Sequence, residues 1–203
     1  MEQRGAPEPP DAHRLIEFQK LMLNFQAVDR TSRIPGTEEH ENDVEHSYIL
    51  AMTAWYLSGF FPELDRDIVI RKALAHDVVE IHTVDTFSFG PEEHLATKPE
   101  REKQSLGKIA VDWPDFPDLI QTIEEYEERA TPNDCFVWAL DKILPIMMAI
   151  IDGGPDFKDH NITLARLEAE KRHKVAAHPI VARYYDQIIQ ILLDNPQLLP
   201  EDK

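Results

Sequence analysis

Two histidines and two aspartates in apolar surroundings are the residues of this chain best able to do chemistry. His46 lies in Glu41-Asn42-Asp43-Val44-Glu45-His46-Ser47, His76 and Asp77 open His76-Asp77-Val78-Val79-Glu80, and Asp141 is the lone carboxylate in a run holding Trp138, Leu140, Ile143 and Leu144. Polar groups persist inside a protein when they have a partner, and imidazole with carboxylate is the ligand set of a divalent transition metal. Two nitrogens and two oxygens suit Mn, Co, Ni, Fe or Zn better than Ca or Mg, without choosing among the first five. A six-coordinate ion so held keeps room for water and a phosphate oxygen, and can lower the pKa of that water while polarising phosphorus. Taken singly, each of these residues also has a structural reading, as a core imidazole bonded to a carbonyl or an aspartate bridging helices.

The elements that must carry these residues read as helices. Leu15, Ile16, Phe18, Leu21, Met22, Phe25 and Val28 recur at three- and four-residue steps, predicting an amphipathic helix over residues 12–28. Turn formers and Pro35 follow, leaving Arg30 and Arg33 on a loop upstream of His46. Asn42 with Glu45 resembles a capping box, which starts a nearly all-apolar helix reaching Gly59 and puts His46 in its first turn. A helix N-terminus disfavours imidazolium, so His46 would keep its lone pair for a metal. A third helix is expected over residues 66–80, with His76 and Asp77 in its last turns and Glu80 on the same face one turn later. Residues 81–91 read as a loop, and residues 98–111 and 118–129 as surface helices. Thr131-Pro132-Asn133-Asp134 supplies an N-cap, a proline at the first helical position and an acid at the third for a helix to Ile151, with a kink expected at Pro145. Two more helices follow, over residues 162–176 and 179–194. No strand is expected. The fold class is therefore all-α, a single-domain bundle of about eight helices over residues 12–203, with residues 1–11 a Pro-rich, disordered tail.

Composition bounds the function. A chain of 203 residues with 42% apolar side chains is long enough for one domain and too short for two comfortable ones. Its 38 acidic and 21 basic residues give a formal charge of -17, which argues against a nucleic-acid polymer or an acidic membrane as partner. A phosphorylated ligand must be drawn in locally. The single cysteine, Cys135, and an opening segment without the apolar core of a signal peptide fit a reducing, cytoplasmic setting. No apolar run is long enough to cross a bilayer.

The segments ENDVEHSYILA, ALAHDVVEIHTVDTF and TPNDCFVWALDKILPI together resemble the HD-domain superfamily of metal-dependent phosphohydrolases, in particular the small helical branch that includes the bacterial 5'-deoxynucleotidases. The likeness spans residues 13–150 and rests on a histidine, a His-Asp pair and a later aspartate in order and spacing. It implies an HD-type bundle in which His46, His76, Asp77 and Asp141 hold the metal and Glu80 orients or deprotonates the attacking water. It also implies that Asp85 stands beside the substrate and that Arg30, or Arg33 if the register slips, contacts the phosphate, which a guanidinium suits through its forked donors. The deoxynucleotidases place tryptophan after this arginine, and this chain has Thr31, so a preference for deoxyribose is not implied.

The leading expectation is hydrolysis of a nucleoside 5'-monophosphate, a small phosphorylated metabolite, to nucleoside and phosphate, within nucleotide metabolism. Alternatives are a nucleoside triphosphohydrolase, a di-iron oxygenase in which His82 or His94 joins a second metal, and a non-catalytic nucleotide-binding module. The last has no need of a water-activating acid such as Glu80. The apolar terminal helix, with Ile188, Ile189, Ile191, Leu192 and Leu193, would supply a homodimer face.

Overall fold

A computed structural model describes residues 8–83 and 85–200. Residues 1–7 of the expected tail lie outside that range, while Asp11 already accepts a bond from the Arg14 N–H as the N-cap of α1, Ala12–Gln26. Two short antiparallel strands follow, β1 at Asp29–Arg33 and β2 at His40–Asn42. They correct the expectation of a chain without strands. The segment DRTSR has no apolar alternation to announce it. It is held instead by side chains elsewhere: the Arg33 N–H donates to Asp156 at 3.1 Å and the Gly36 N–H to Asp152 at 2.7 Å.

The Asn42–Glu45 capping box forms as expected and starts α2, Asp43–Ser58. The next helix, α3, spans Arg66–Ala75 and stops short of the length expected for it. His76 is its C-cap, and a tighter 3-10 turn, Val78–His82, continues the chain through part of the expected loop. This turn brings Glu80 back under Asp77, whose carbonyl accepts the Glu80 N–H at 2.8 Å. Then come α4, Glu92–Asp112, and α5, Pro117–Glu128. The Thr131–Asp134 box, with Pro132 in the first turn, opens α6, Pro132–Ile151, which runs unbroken through Pro145. A short α7, Pro155–Asp159, follows Gly153 and Gly154, both at positive φ, where glycine is favoured. The chain closes with α8, Leu164–Val175, and α9, Pro179–Asp194.

Nine α-helices are thus found among the described residues, and the all-α class stands with a small hairpin added. The hairpin contacts α6, and α6 packs against α2, α3, α5, α8 and α9. Its fully buried Phe136, Val137, Leu140 and Ile143 join Leu50 of α2 and Tyr185 of α9 in the main core. A second core lies between α1, the 3-10 turn, α4 and α5, around Phe25, Val79 and Ile123. The turn that carries Glu80 buries Val78 and Val79 in this second core, which fixes it. Of the apolar residues expected to leave a face on α9, Ile188 and Leu192 are buried in this chain's own core, while Ile191 and Leu193 stay exposed. A larger exposed row runs along α2. No helix among the described residues is long and apolar enough to cross a membrane.

Candidate metal centre

The first turn of α2, the C-cap of α3 and the middle of α6 bring four expected ligands together. Donor atoms of His46, His76 and Asp77 all lie within 4.8 Å of one another. Asp141 Oδ1 is 2.9 Å from His46 Nε2 and 3.8 Å from His76 Nε2, and Asp77 Oδ2 is 3.0 Å from His76 Nε2. Each imidazole is oriented from behind. His76 Nδ1 faces the Ala73 carbonyl at 2.9 Å, and His46 Nδ1 faces Glu41 Oε1 at 3.3 Å. A ring whose Nδ1–H donates in this way directs the Nε2 lone pair at the cluster, the arrangement that metal-binding histidines use. Tyr126 packs edge-on against the His76 ring with centroids 5.3 Å apart.

Two observations show that a cation fits. His76 Nε2 is buried and has no hydrogen-bond partner, an exception that calls for an explanation. Burial disfavours a charged His76, yet the carboxylates of Asp77 and Asp141 outweigh it and raise the ring to about 10. Asp77 and Asp141 move the other way. Burial opposes their ionisation, but His76 acting on both, Arg30 on Asp77 and Lys142 on Asp141 hold both carboxyls well below their usual range. The cluster thus demands positive charge, and without an ion a proton on His76 supplies it. Metal binding displaces such protons.

Glu80 is 1% exposed, and one of its oxygens is 2.9 Å from Lys98 Nζ while the other has no partner. Burial and the nearby Asp77 push its carboxyl well above the usual range despite Lys98. Arg30, on β1, is the hub of the acidic side: Nη1 lies 2.7 Å from Asp77, 2.9 Å from Asp43 and 3.7 Å from Asp85, with Nε 3.4 Å from Glu41. A second trio, Asp43, Asp77 and Glu80, is close enough to ligate a cation. Arg30 already sits between two of its members, which weighs against the two-metal arrangement of an oxygenase. His82, one of the histidines considered for a second metal, is exposed.

Asp85 and Arg30 both line the cleft above the cluster. Arg33 does not. Its guanidinium pairs with Asp156 and Asp159, tying the hairpin to α7 instead. The cleft also has a part that sequence reasoning missed. Phe87 and Phe89 from the segment before α4, and His160 after α7, form an aromatic wall, with Phe87 centroids 4.6 Å from His160 and 5.7 Å from Phe89. Lys171 of α8 lines the same cleft. No local signal marks these residues, because they meet only through tertiary packing of segments far apart in sequence.

An all-helical bundle with a His–His–Asp–Asp cluster at its centre is the class that this architecture defines. A family model described as HD domain matches residues 24–181, and the chain belongs to that family. Among solved structures it is similar to a protein titled a predicted metal-dependent phosphohydrolase from Magnetospirillum magnetotacticum MS-1. The TM-score is 0.77 at 24% identity, over 92% of this chain and 99% of that one. A search of curated proteins gave no match.

Proposed function

We propose that this chain is a metal-dependent phosphohydrolase that converts nucleoside 5'-monophosphates to nucleoside and phosphate. The observation that carries the reading is the convergence of His46, His76, Asp77 and Asp141 around an orphaned imidazole nitrogen, with a buried carboxyl, Glu80, beside them. A divalent transition metal held by those four residues would supply Lewis acidity toward a phosphate oxygen and acidify a water. The protein's own groups do the rest. Glu80, one of whose oxygens has no partner, receives a proton from the attacking water and returns it towards the leaving oxygen as the P–O bond breaks. Arg30 lines the cleft beside Asp77 and offers its positive charge to the phosphate, and Asp85 stands beside the same space.

Support for a nucleotide comes from the aromatic wall, which offers a base a stacking surface. The free volume of the cleft, about 90 Å³, is less than a nucleotide needs. The cleft therefore has to widen for entry. The test is a metal-supplemented screen of the purified protein against phosphorylated metabolites, with Asp77→Ala as control. Phosphate release from nucleoside monophosphates by the wild type alone supports the reading, whereas equal release by both proteins removes it. Triphosphate as the product would mean a triphosphohydrolase. Glu80→Ala should keep the metal and lose turnover.

For assembly we propose a homodimer built on α2 rather than α9. Tyr48, Met52, Trp55, Tyr56 and Phe60 form a row at helical spacing, each between 43% and 68% exposed. At ~200 Å² per large side chain the row offers about 600 Å² per chain, close to the ~800 Å² that a standard interface takes from each partner. Tyr56→Glu should shift the light-scattering mass from dimer to monomer, and a wild-type monomer would remove the proposal.

A further inference from the structure

Lys171 lines the cleft, and the hydrolytic chemistry leaves it without a task. It is 4% exposed, and its Nζ lies 5.3 Å from the centre of the Phe89 ring. The other cations lining the cleft have carboxylate partners: Arg30 with Asp77, Lys98 with Glu80, and Lys142 with Asp141. No carboxylate is within ion-pairing distance of Lys171 among the described residues, and its neighbour Lys174 is paired with Glu170. With its stem buried and no carboxylate to pair with, the amine offers its hydrogens to whatever the cleft holds.

We propose that Lys171 reads the base of the nucleotide, donating a hydrogen bond to a ring carbonyl oxygen while the base lies against Phe87, Phe89 and His160. This rests on the nucleotide reading above. The chemistry of the surroundings selects a neutral acceptor over a second anion. The amine stands against an aromatic wall, and Asp77, Glu80, Asp85, Asp141 and Asp156 already put carboxylates around the cleft. Burial, followed by the charges of Lys142 and Lys174, lowers Lys171 to about 7, so the amine is not obliged to hold a full charge and has no need of a counter-anion. Guanine, hypoxanthine, uracil, thymine and cytosine carry a ring carbonyl. Adenine has none, and places an amino group where hypoxanthine has its oxygen.

Inosine and adenosine 5'-monophosphates therefore form the decisive pair, since they share the scissile phosphate and the sugar. At pH 6, where the amine is protonated and only donates, the wild type should favour the inosine substrate in kcat/KM by roughly 10- to 100-fold, the range for a hydrogen bond to a charged donor. Lys171→Met should erase that preference, lowering the inosine rate far more than the adenosine rate. Lys171→Gln, which keeps an N–H donor, should restore part of it. Calorimetric binding of inosine and adenosine to the wild type reads the same preference without any variant. Equal handling of the two bases by the wild type, or a preference that survives in Lys171→Met, overturns the assignment while leaving nucleotide hydrolysis intact. Absence of turnover with every nucleotide overturns the hydrolytic reading and this inference together.

Discussion

Replacing Arg30 with methionine should destabilise the metal-free protein by about 3–5 kcal/mol, the cost of removing one partner from a buried charge cluster. The side chain is 11% exposed and its nitrogens lie 2.7 Å from Asp77, 2.9 Å from Asp43, 3.4 Å from Glu41 and 3.7 Å from Asp85. Methionine keeps much of the packing volume and removes the charge, so four carboxylates would face one another with only His76 to balance them. The loss has a pH signature. Asp43 is already raised to about 7, by burial and then by Asp77, even with Arg30 beside it. Without Arg30 it takes up a proton more readily, which relieves repulsion at pH 6 but not at pH 8. The variant's deficit should therefore be larger at the higher pH. Urea denaturation in the presence of a chelator, at both pH values, measures it. Added Mn should restore part of the loss, since a cation then replaces the guanidinium's charge. A deficit below about 1 kcal/mol at both pH values is what a solvated surface pair gives, and would refute the view of Arg30 as the hub of a buried cluster.

Three further outcomes follow from the same geometry. Because the Asp43 carboxyl is raised from 3.8 to about 7, the folded chain binds a proton that the unfolded chain has released. Its contribution therefore declines as pH rises through that window and levels off above it, and Asp43→Asn should remove that part of the slope in a metal-free stability titration. Lys72 is 2% exposed and sits 2.6 Å from the fully buried Asp134 and 3.0 Å from Glu125, so Lys72→Met should cost about 3–5 kcal/mol in urea unfolding. Gly154 is at φ +86°, and a Cβ there would meet the Leu198 carbonyl oxygen at 2.1 Å, so Gly154→Ala should lower the thermal midpoint by several degrees, ~1–3 kcal/mol.

Local chemistry explains which parts of this architecture could be read from the chain. The boxes Asn42–Glu45 and Thr131–Asp134 are sequence-local, because the side chains that close them lie within one turn of the backbone they serve, and both form. The four candidate ligands were legible for a different reason: polar groups inside apolar helical stretches stand out against their neighbours. Other features depend on partners far away. The β1–β2 hairpin has polar strands and is anchored by Asp152 and Asp156, more than a hundred positions later. α3 stops at Ala75, where the periodic pattern predicts continuation, because His76 bonds back to Ala73 and the 3-10 turn that follows packs Val78 and Val79 into the second core. Arg30 and Arg33 look alike in the sequence, three positions apart, and it is the acidic cluster that captures the first and α7 that captures the second. Lys171 is one of several lysines and arginines on α8, and only packing against α6 and Phe89 separates it from the solvated ones.

Metal content tests the central claim most directly. After incubation with Mn, Co, Ni, Fe or Zn and removal of free ions, elemental analysis should find about one tightly held ion per chain in the wild type and in Glu80→Ala, and almost none in Asp77→Ala or His46→Ala. A wild-type protein that retains no transition metal, or an Asp77→Ala protein that retains as much as the wild type, would contradict the account.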